Sequence, residues 1–138
     1  YSFAAKFSSS QSVSYPRIIA GGAQSEWHRG GPHKLRWRWV GGSPSALDSN
    51  SNYFIEDAIH LYTITYTSPN LILYRDGSLF QTMTYTSSHD TSFNALMNRS
   101  SYDRPLGANV YQCLLYNKTL TAAEVLQNYN AVKHRFGI

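Results

Sequence analysis

The chain has 138 residues, 42% of them apolar, 14% aromatic and only 14% charged. That length suits one domain with a sizeable core, the aromatic content excludes a disordered chain, and no apolar run nears the roughly 18 residues a membrane-spanning helix needs. Twelve Lys and Arg against eight Asp and Glu give a formal +4, a mild and scattered basic balance that does not demand nucleic acid.

Recurring Ser, Thr, Tyr and Asn, with turn clusters between short apolar runs, predict an all-β chain. Ser2–Phe7 is the first strand, and the Ser/Gln-rich residues 8–14 follow as a connection. Residues 17–20 lead as a second strand into Gly21-Gly22, and residues 28–32 are expected as a loop. Leu35, Trp37 and Trp39 alternate with Arg36 and Arg38, so a strand here puts the apolar rings on one face and the guanidiniums on the other. Residues 41–52, rich in Ser, Asn, Gly and Pro, are expected as an exposed loop.

The middle of the chain predicts a three-strand meander. Ile59–Thr67 runs to a turn at Ser68-Pro69-Asn70, residues 71–75 return, Asp76-Gly77 makes a hairpin turn, and residues 78–86 complete it. Thr63, Thr65 and Thr67 share one face of the first strand, and Tyr62, Ile64 and Tyr66 the other. After a loop at 87–92 come a short strand at 93–97, a loop at 98–106 and a strand at 109–116. That last strand is apolar on both faces, through Val110 and Leu114 on one and Tyr111, Cys113 and Leu115 on the other. Two apolar faces predict a cover on each. Thr121-Ala122-Ala123-Glu124 fits a capping box. Val125, Leu126, Tyr129 and Val132 follow at helical spacing, Lys133, His134 and Arg135 suit a C-terminal turn, and Gly137 stops the run, which predicts a helix over 121–134.

The strand, turn, strand and Asp-Gly hairpin of residues 60–77, with the run Gly-Ala-Asn-Val-Tyr-Gln-Cys-Leu-Leu-Tyr-Asn-Lys-Thr-Leu-Thr-Ala-Ala-Glu at 107–124, resembles the concanavalin A-like lectin/glucanase superfamily in its laminin-G-like form. Residues 126–137 resemble the C-terminal tail of such domains in phage and other virion proteins. The resemblance spans residues 2–138, is most specific in the last third, and implies a two-sheet antiparallel jelly-roll sandwich with one C-terminal helix. Such domains usually open with further strands before the one at 2–7. The chain begins at Tyr1 rather than Met and shows no charged-then-apolar leader, so a piece of a longer or processed polypeptide is expected, its missing strands supplied by that polypeptide or by a neighbour.

Chemistry-bearing motifs are sparse. The superfamily's glucanases carry Glu-x-Asp-x-x-Glu on one strand face; here Glu56 and Asp57 are adjacent and would point apart on a strand. No Gly-x-Ser-x-Gly elbow accompanies the five His, and His60 is read as a core residue. The single cysteine, Cys113, excludes a disulfide framework and a Cys-based zinc site, and is read as a small buried hydrophobe. A calcium ion, the one cofactor the resemblance raises, would use Asp90 and Asp103 in their loops. Sugar stacking would use the loop aromatics Trp27, Tyr53 and Tyr102, with Arg36 and Arg38 as polar contacts. Nucleic acid is disfavoured, because it wants stacking rings on the face that carries the arginines. The sequon-like triplets at Asn98 and Asn117 matter only in a eukaryotic secretory pathway. The expected function is a non-enzymatic virion surface module, such as a capsid decoration, fibre or tail-associated domain, contacting other virion subunits, copies of itself or host glycans. The alternative is a carbohydrate-binding module of a secreted or cell-surface protein.

Overall fold

Strand-forming residues pair into ten strands, with one helix, among the residues that the computed structural model describes: 1–9, 17–21, 26–30, 33–38, 46–85, 93–96, 98 and 106–138. The strands are β1 Ser2–Phe7, β2 Arg17–Gly21, β3 Glu26–Gly30, β4 Lys34–Arg38, β5 Ala46–Asp48, β6 Ile59–Thr67, β7 Asn70–Arg75, β8 Ser78–Thr84, β9 Phe93–Leu96 and β10 Ala108–Leu114; the helix α1 is Ala122–Phe136. They form two antiparallel five-stranded sheets, ordered β10-β1-β6-β7-β8 and β5-β4-β3-β2-β9. This is the all-β, jelly-roll class with a single C-terminal helix that the sequence predicts. The chain divides into two units, each holding one sheet.

The first unit comprises Tyr1–Phe7, Ile55–Thr86 and Ala108–Ile138. Its central strand β6 is buried from Leu61 to Thr65, on both faces. On one face Phe3 stacks on Tyr62 with ring centroids 5.5 Å apart, and Phe7 meets the same ring edge-on at 5.4 Å. Ile64 lies opposite Leu73 in the β6–β7 register. The other face buries polar atoms. Ser2 Oγ and Thr63 Oγ1 share a hydrogen bond of 2.9 Å, while the Thr65 hydroxyl, 5% exposed, has no partner among the described residues. β1 is paired on both sides, by β10 and β6, so further strands upstream of it would not find an edge there. Where β1 runs out, Thr119 Oγ1 donates to the Tyr66 carbonyl at 2.7 Å, and the side chain replaces a ladder bond.

The meander forms as predicted, with β8 ending at Thr84. Asp76 and Gly77 both take positive φ, 52° and 75°, the conformation of a tight hairpin turn. The Asp76 carboxylate fastens that turn to β6, accepting from the Leu61 amide at 3.0 Å and meeting His60 Nδ1 at 2.6 Å. His60 is thus a structural anchor, as its position at the head of an apolar strand suggests.

The helix begins where the capping box places it. Glu124 N donates to Thr121 Oγ1 at 3.3 Å and Thr121 N donates to a Glu124 carboxylate oxygen at 2.8 Å. Gly137, at φ 68°, ends it with its amide bonded to the Lys133 carbonyl. Val125, 1% exposed, packs with Leu120 and Tyr74, so α1 covers the threonine-bearing face of the first sheet. Phe136 reaches Tyr111 of β10, with centroids 6.1 Å apart. Among the described residues no second cover lies over β10: Val110, Tyr111 and Leu114 are 37–44% exposed. β10 is an outer strand of its sheet, so α1 shields only its Tyr111 side. Cys113 is half-buried rather than core.

The second unit comprises Ser8–Phe54 and Ser87–Gly107. Leu35 and Trp37 are buried and Arg36 is half-exposed, the alternation read from the sequence. Two expectations fail here. The loop expected over 28–32 contains the end of β3, whose five residues pair one for one with β4. Its charged, glycine-terminated sequence is a poor local strand former, and pairing on both sides overrides that preference. The loop expected over 41–52 contains β5, where Leu47 pairs with Trp37 and Asp48 with Arg36. Beyond β5, Ser49 extends the contact by exchanging its amide and hydroxyl with the Leu35 backbone at 2.8 and 2.9 Å.

Candidate functional site

The strongest polar constellation among the expected site residues lies on β4 and its neighbours. The β3–β4–β5 register places His28 opposite Arg36 and Arg36 opposite Asp48; one residue pair along, Glu26, Arg38 and Ala46 line up in the same way. Directly opposed residues share a face, so Arg36 and Asp48 belong to one face of the second sheet. Leu35, Trp37 and Leu47 belong to the other. Arg36 Nε and Nη2 each bond an Asp48 carboxylate oxygen at 2.5 Å. This fork fixes the guanidinium plane against the strand. The two side chains keep 31% and 33% of their surface open, so the pair remains accessible from solvent.

The sequence-predicted residues are not all brought together. Trp27 lies in β3 rather than in a loop, directly opposite Trp37, which is 2% exposed. Tyr53 does lie outside the strands, but its exposure is 0% and its ring packs on Phe54 at 4.9 Å. A sugar cannot stack on a ring that solvent does not reach, so Tyr53 is a core residue and not a ligand contact. Tyr102, Asp90 and Asp103 lie outside the described residues. Among the described residues no group of three His, Cys, Asp or Glu converges to hold a metal ion.

Asp48 is the residue that reading the sequence missed. It lies twelve positions from Arg36 inside a stretch expected to be loop, and only the β4–β5 register pairs them. An Ala-Leu-Asp strand of three residues is too short to show periodicity.

Solved structures similar to this chain share its fold at low identity. The binding domain of Paraclostridial Mosquitocidal Protein 1 superposes with a TM-score of 0.63 at 15% identity, covering 94% of this chain and 36% of that one. The Ruminococcus gnavus IT-sialidase CBM40 bound to α2,3-sialyllactose gives 0.62 at 12% identity, covering 93% and 80%. The botulinum neurotoxin serotype D binding domain gives 0.59 at 14%, covering 94% and 36%. The chain thus spans about a third of the length of the two toxin binding domains. No curated protein matches the sequence. A laminin-G-like family model, described as the concanavalin A-like lectin/glucanases superfamily, matches residues 1–126, and the chain belongs to that superfamily.

Proposed function

We propose that this chain is a non-catalytic, lectin-like binding module that holds a glycan on the charged face of β3, β4 and β5. The observation that carries the reading is the forked Arg36–Asp48 pair, fixed in orientation and one-third open to solvent. A guanidinium plane set beside carboxylate oxygens presents donors and acceptors together, the complement of a sugar's hydroxyls or of a sugar carboxylate. Preorganisation lowers the ordering cost of binding. Arg38, two residues along β4, is the second arginine of the proposed site. Tyr102 is the proposed stacking ring, and Asp90 with Asp103 the proposed calcium ligands.

Support for a glycan partner comes from the likeness to a carbohydrate-binding module bound to α2,3-sialyllactose. Support for a non-catalytic role comes from the lack of a Glu-x-Asp-x-x-Glu run in the sequence and from neighbours described as binding domains. An extracellular or cell-surface setting fits that role. Attachment at a virion surface is the narrower form of the proposal and rests on the C-terminal resemblance at 126–137.

Calorimetric titration with α2,3-sialyllactose, with lactose as the uncharged comparator, tests the reading. The sialylated sugar is expected to bind more tightly than lactose, and Arg36→Ala is expected to abolish that preference. Because the ion pair is one-third open, its loss should change stability by only about 0–1 kcal/mol. Undiminished binding by the variant would place the ligand elsewhere, and release of sialic acid on incubation would overturn the non-catalytic assignment. The same titration in EDTA and in excess calcium reads Asp90 and Asp103.

A further inference from the structure

The proposed glycan face carries one charge that its ion pair does not cancel. Arg36 and Asp48 hold opposite charges in a fork, so the pair is neutral as a unit. Such a pair offers donors and acceptors to a sugar's hydroxyls. It favours an anionic sugar over a neutral one only weakly, because the carboxylate opposes whatever the guanidinium attracts. The guanidinium edge that bears Nε and Nη2 is moreover engaged by Asp48, so that fork is not offered to a ligand's carboxylate.

Lys34 supplies the missing charge. It opens β4 two residues before Arg36, and β4 alternates: Leu35 and Trp37 are buried, while Lys34 and Arg36 are half-exposed. Lys34 therefore stands on the side of the strand that carries Arg36, about 7 Å along it. That spacing lies within the Debye length of about 8 Å at physiological ionic strength. Among the described residues no salt bridge includes Lys34. Its pairing partner on β3 is Gly30, which brings no side chain to cover it.

Neighbouring positions leave the surplus in place. Glu26 and Arg38 lie opposite one another in the β3–β4 register and add one charge of each sign. Arg17 belongs to β2, two strands from β4, and at 4% exposed it is out of a ligand's reach. Lys34 and Arg36 against Asp48 thus leave a single positive charge.

We propose that Lys34 is the charge-selecting residue of this face, and that the ligand is a glycan bearing an anionic group, carboxylate or sulfate. The anionic group meets the Lys34 ammonium while the sugar's hydroxyls meet the Arg36–Asp48 pair. The assignment rests on the glycan reading of the face and adds to it what the ligand's charge must be and which side chain reads it. An ammonium is a compact point charge on a flexible stem, so it attracts a carboxylate and a sulfate ester alike.

Calorimetric titration of the full chain with α2,3-sialyllactose, with lactose carrying a sulfate ester and with plain lactose reads the selectivity. Both anionic sugars are expected to bind about tenfold more tightly than lactose, the scale of one charge pair at a partly exposed site. Lys34→Gln keeps much of the side chain and removes its charge, and should bring that ratio to about one, whereas Lys34→Arg should retain it. Arg36→Ala leaves Asp48 to cancel Lys34 and should lose the preference too. Asp48→Asn leaves two cations and should widen it by about a further tenfold. Added salt should narrow the preference in the parent and in Asp48→Asn. A preference that survives Lys34→Gln would assign the anion to Arg36 and overturn the proposal while the glycan reading stands. So would sulfated lactose bound no better than lactose, or a smaller preference in Asp48→Asn. Failure of all three sugars to bind overturns the glycan reading itself, and the Lys34 assignment with it.

Discussion

The two sheets treat polar residues in opposite ways. The first buries uncharged hydroxyls, Ser2, Thr63 and Thr65, each at most 5% exposed, beneath a helix. The second also buries Arg17 of β2, at 4% exposed, but on β4 and β5 it keeps Arg36 and Asp48 charged, paired to one another and a third open. Buried polar groups must be satisfied locally and give up their freedom to bind anything else. Half-open ion pairs contribute little to stability and stay in contact with solvent. The contrast divides the labour: the first sheet and its helix form a framework whose substitutions register as stability, and the second presents groups whose substitutions register as binding.

That division breaks first, and most visibly, at Gly77. The residue sits at φ 75°, and a Cβ placed on it would lie 3.0 Å from Tyr129 Cβ and Cδ1 and 3.1 Å from Leu126 Cδ1. Left-handed backbone with a side chain costs about 1–2 kcal/mol and crowding a packed contact about 1–3. Gly77→Ala should therefore destabilise the protein by about 2–5 kcal/mol in denaturant unfolding, while leaving sialyllactose affinity unaltered in the folded fraction. A loss below about 0.5 kcal/mol would mean that α1 does not depend on the hairpin beneath it.

Two threonines on one strand face sharpen the comparison further. Thr63 shares a bond with Ser2, whereas the Thr65 hydroxyl, two residues on, has no partner among the described residues. Valine matches threonine in shape and removes only the hydroxyl. Thr63→Val strands the Ser2 hydroxyl and should cost about 1–3 kcal/mol; Thr65→Val removes an unsatisfied group and should be neutral or stabilising by about 1 kcal/mol. Equal losses at both positions would show that hydroxyl burial, rather than hydrogen-bond satisfaction, sets the energy of this face.

Much of the framework is legible in the sequence because its signals are local. The capping box needs four residues, the Asp-Gly turn two, and the meander strands alternate over six or more. What eludes sequence reading is what pairing alone decides. Glu-Trp-His-Arg-Gly becomes a strand because β2 and β4 flank it, and Ala-Leu-Asp does so because Asp48 meets Arg36. The aromatic Tyr53 reads as a surface ring for the same reason: its neighbours Asn50, Ser51 and Asn52 are polar, but the Phe54 amide is bonded to the His33 carbonyl, and that contact draws the segment inward. The candidate site was legible as a basic strand face, through Arg36 and Arg38, and not as an ion pair.

The smallest expected effect lies at the helix start, and it separates charge from capping. Hydrogen bonding to Lys118, then the Thr121 amide and hydroxyl, hold the Glu124 carboxyl down at about 2, against an ordinary 4.5. A carboxyl depressed in the folded state favours folding while it is ionised in both states. Its contribution is therefore full above pH 4.5 and is lost as the pH falls toward about 2. Glutamine can still accept the Thr121 amide bond of the capping box, so Glu124→Gln removes the charge and leaves the cap. The Tm of the variant should fall below that of the parent near neutral pH, and the gap should close over that acid window. High salt should narrow the gap at neutral pH, because the Lys118 partner is solvent-exposed. A gap that persists unchanged at low pH would trace the effect to cap geometry instead, and the helix would then be anchored by its hydrogen bonds and by Val125 without help from charge.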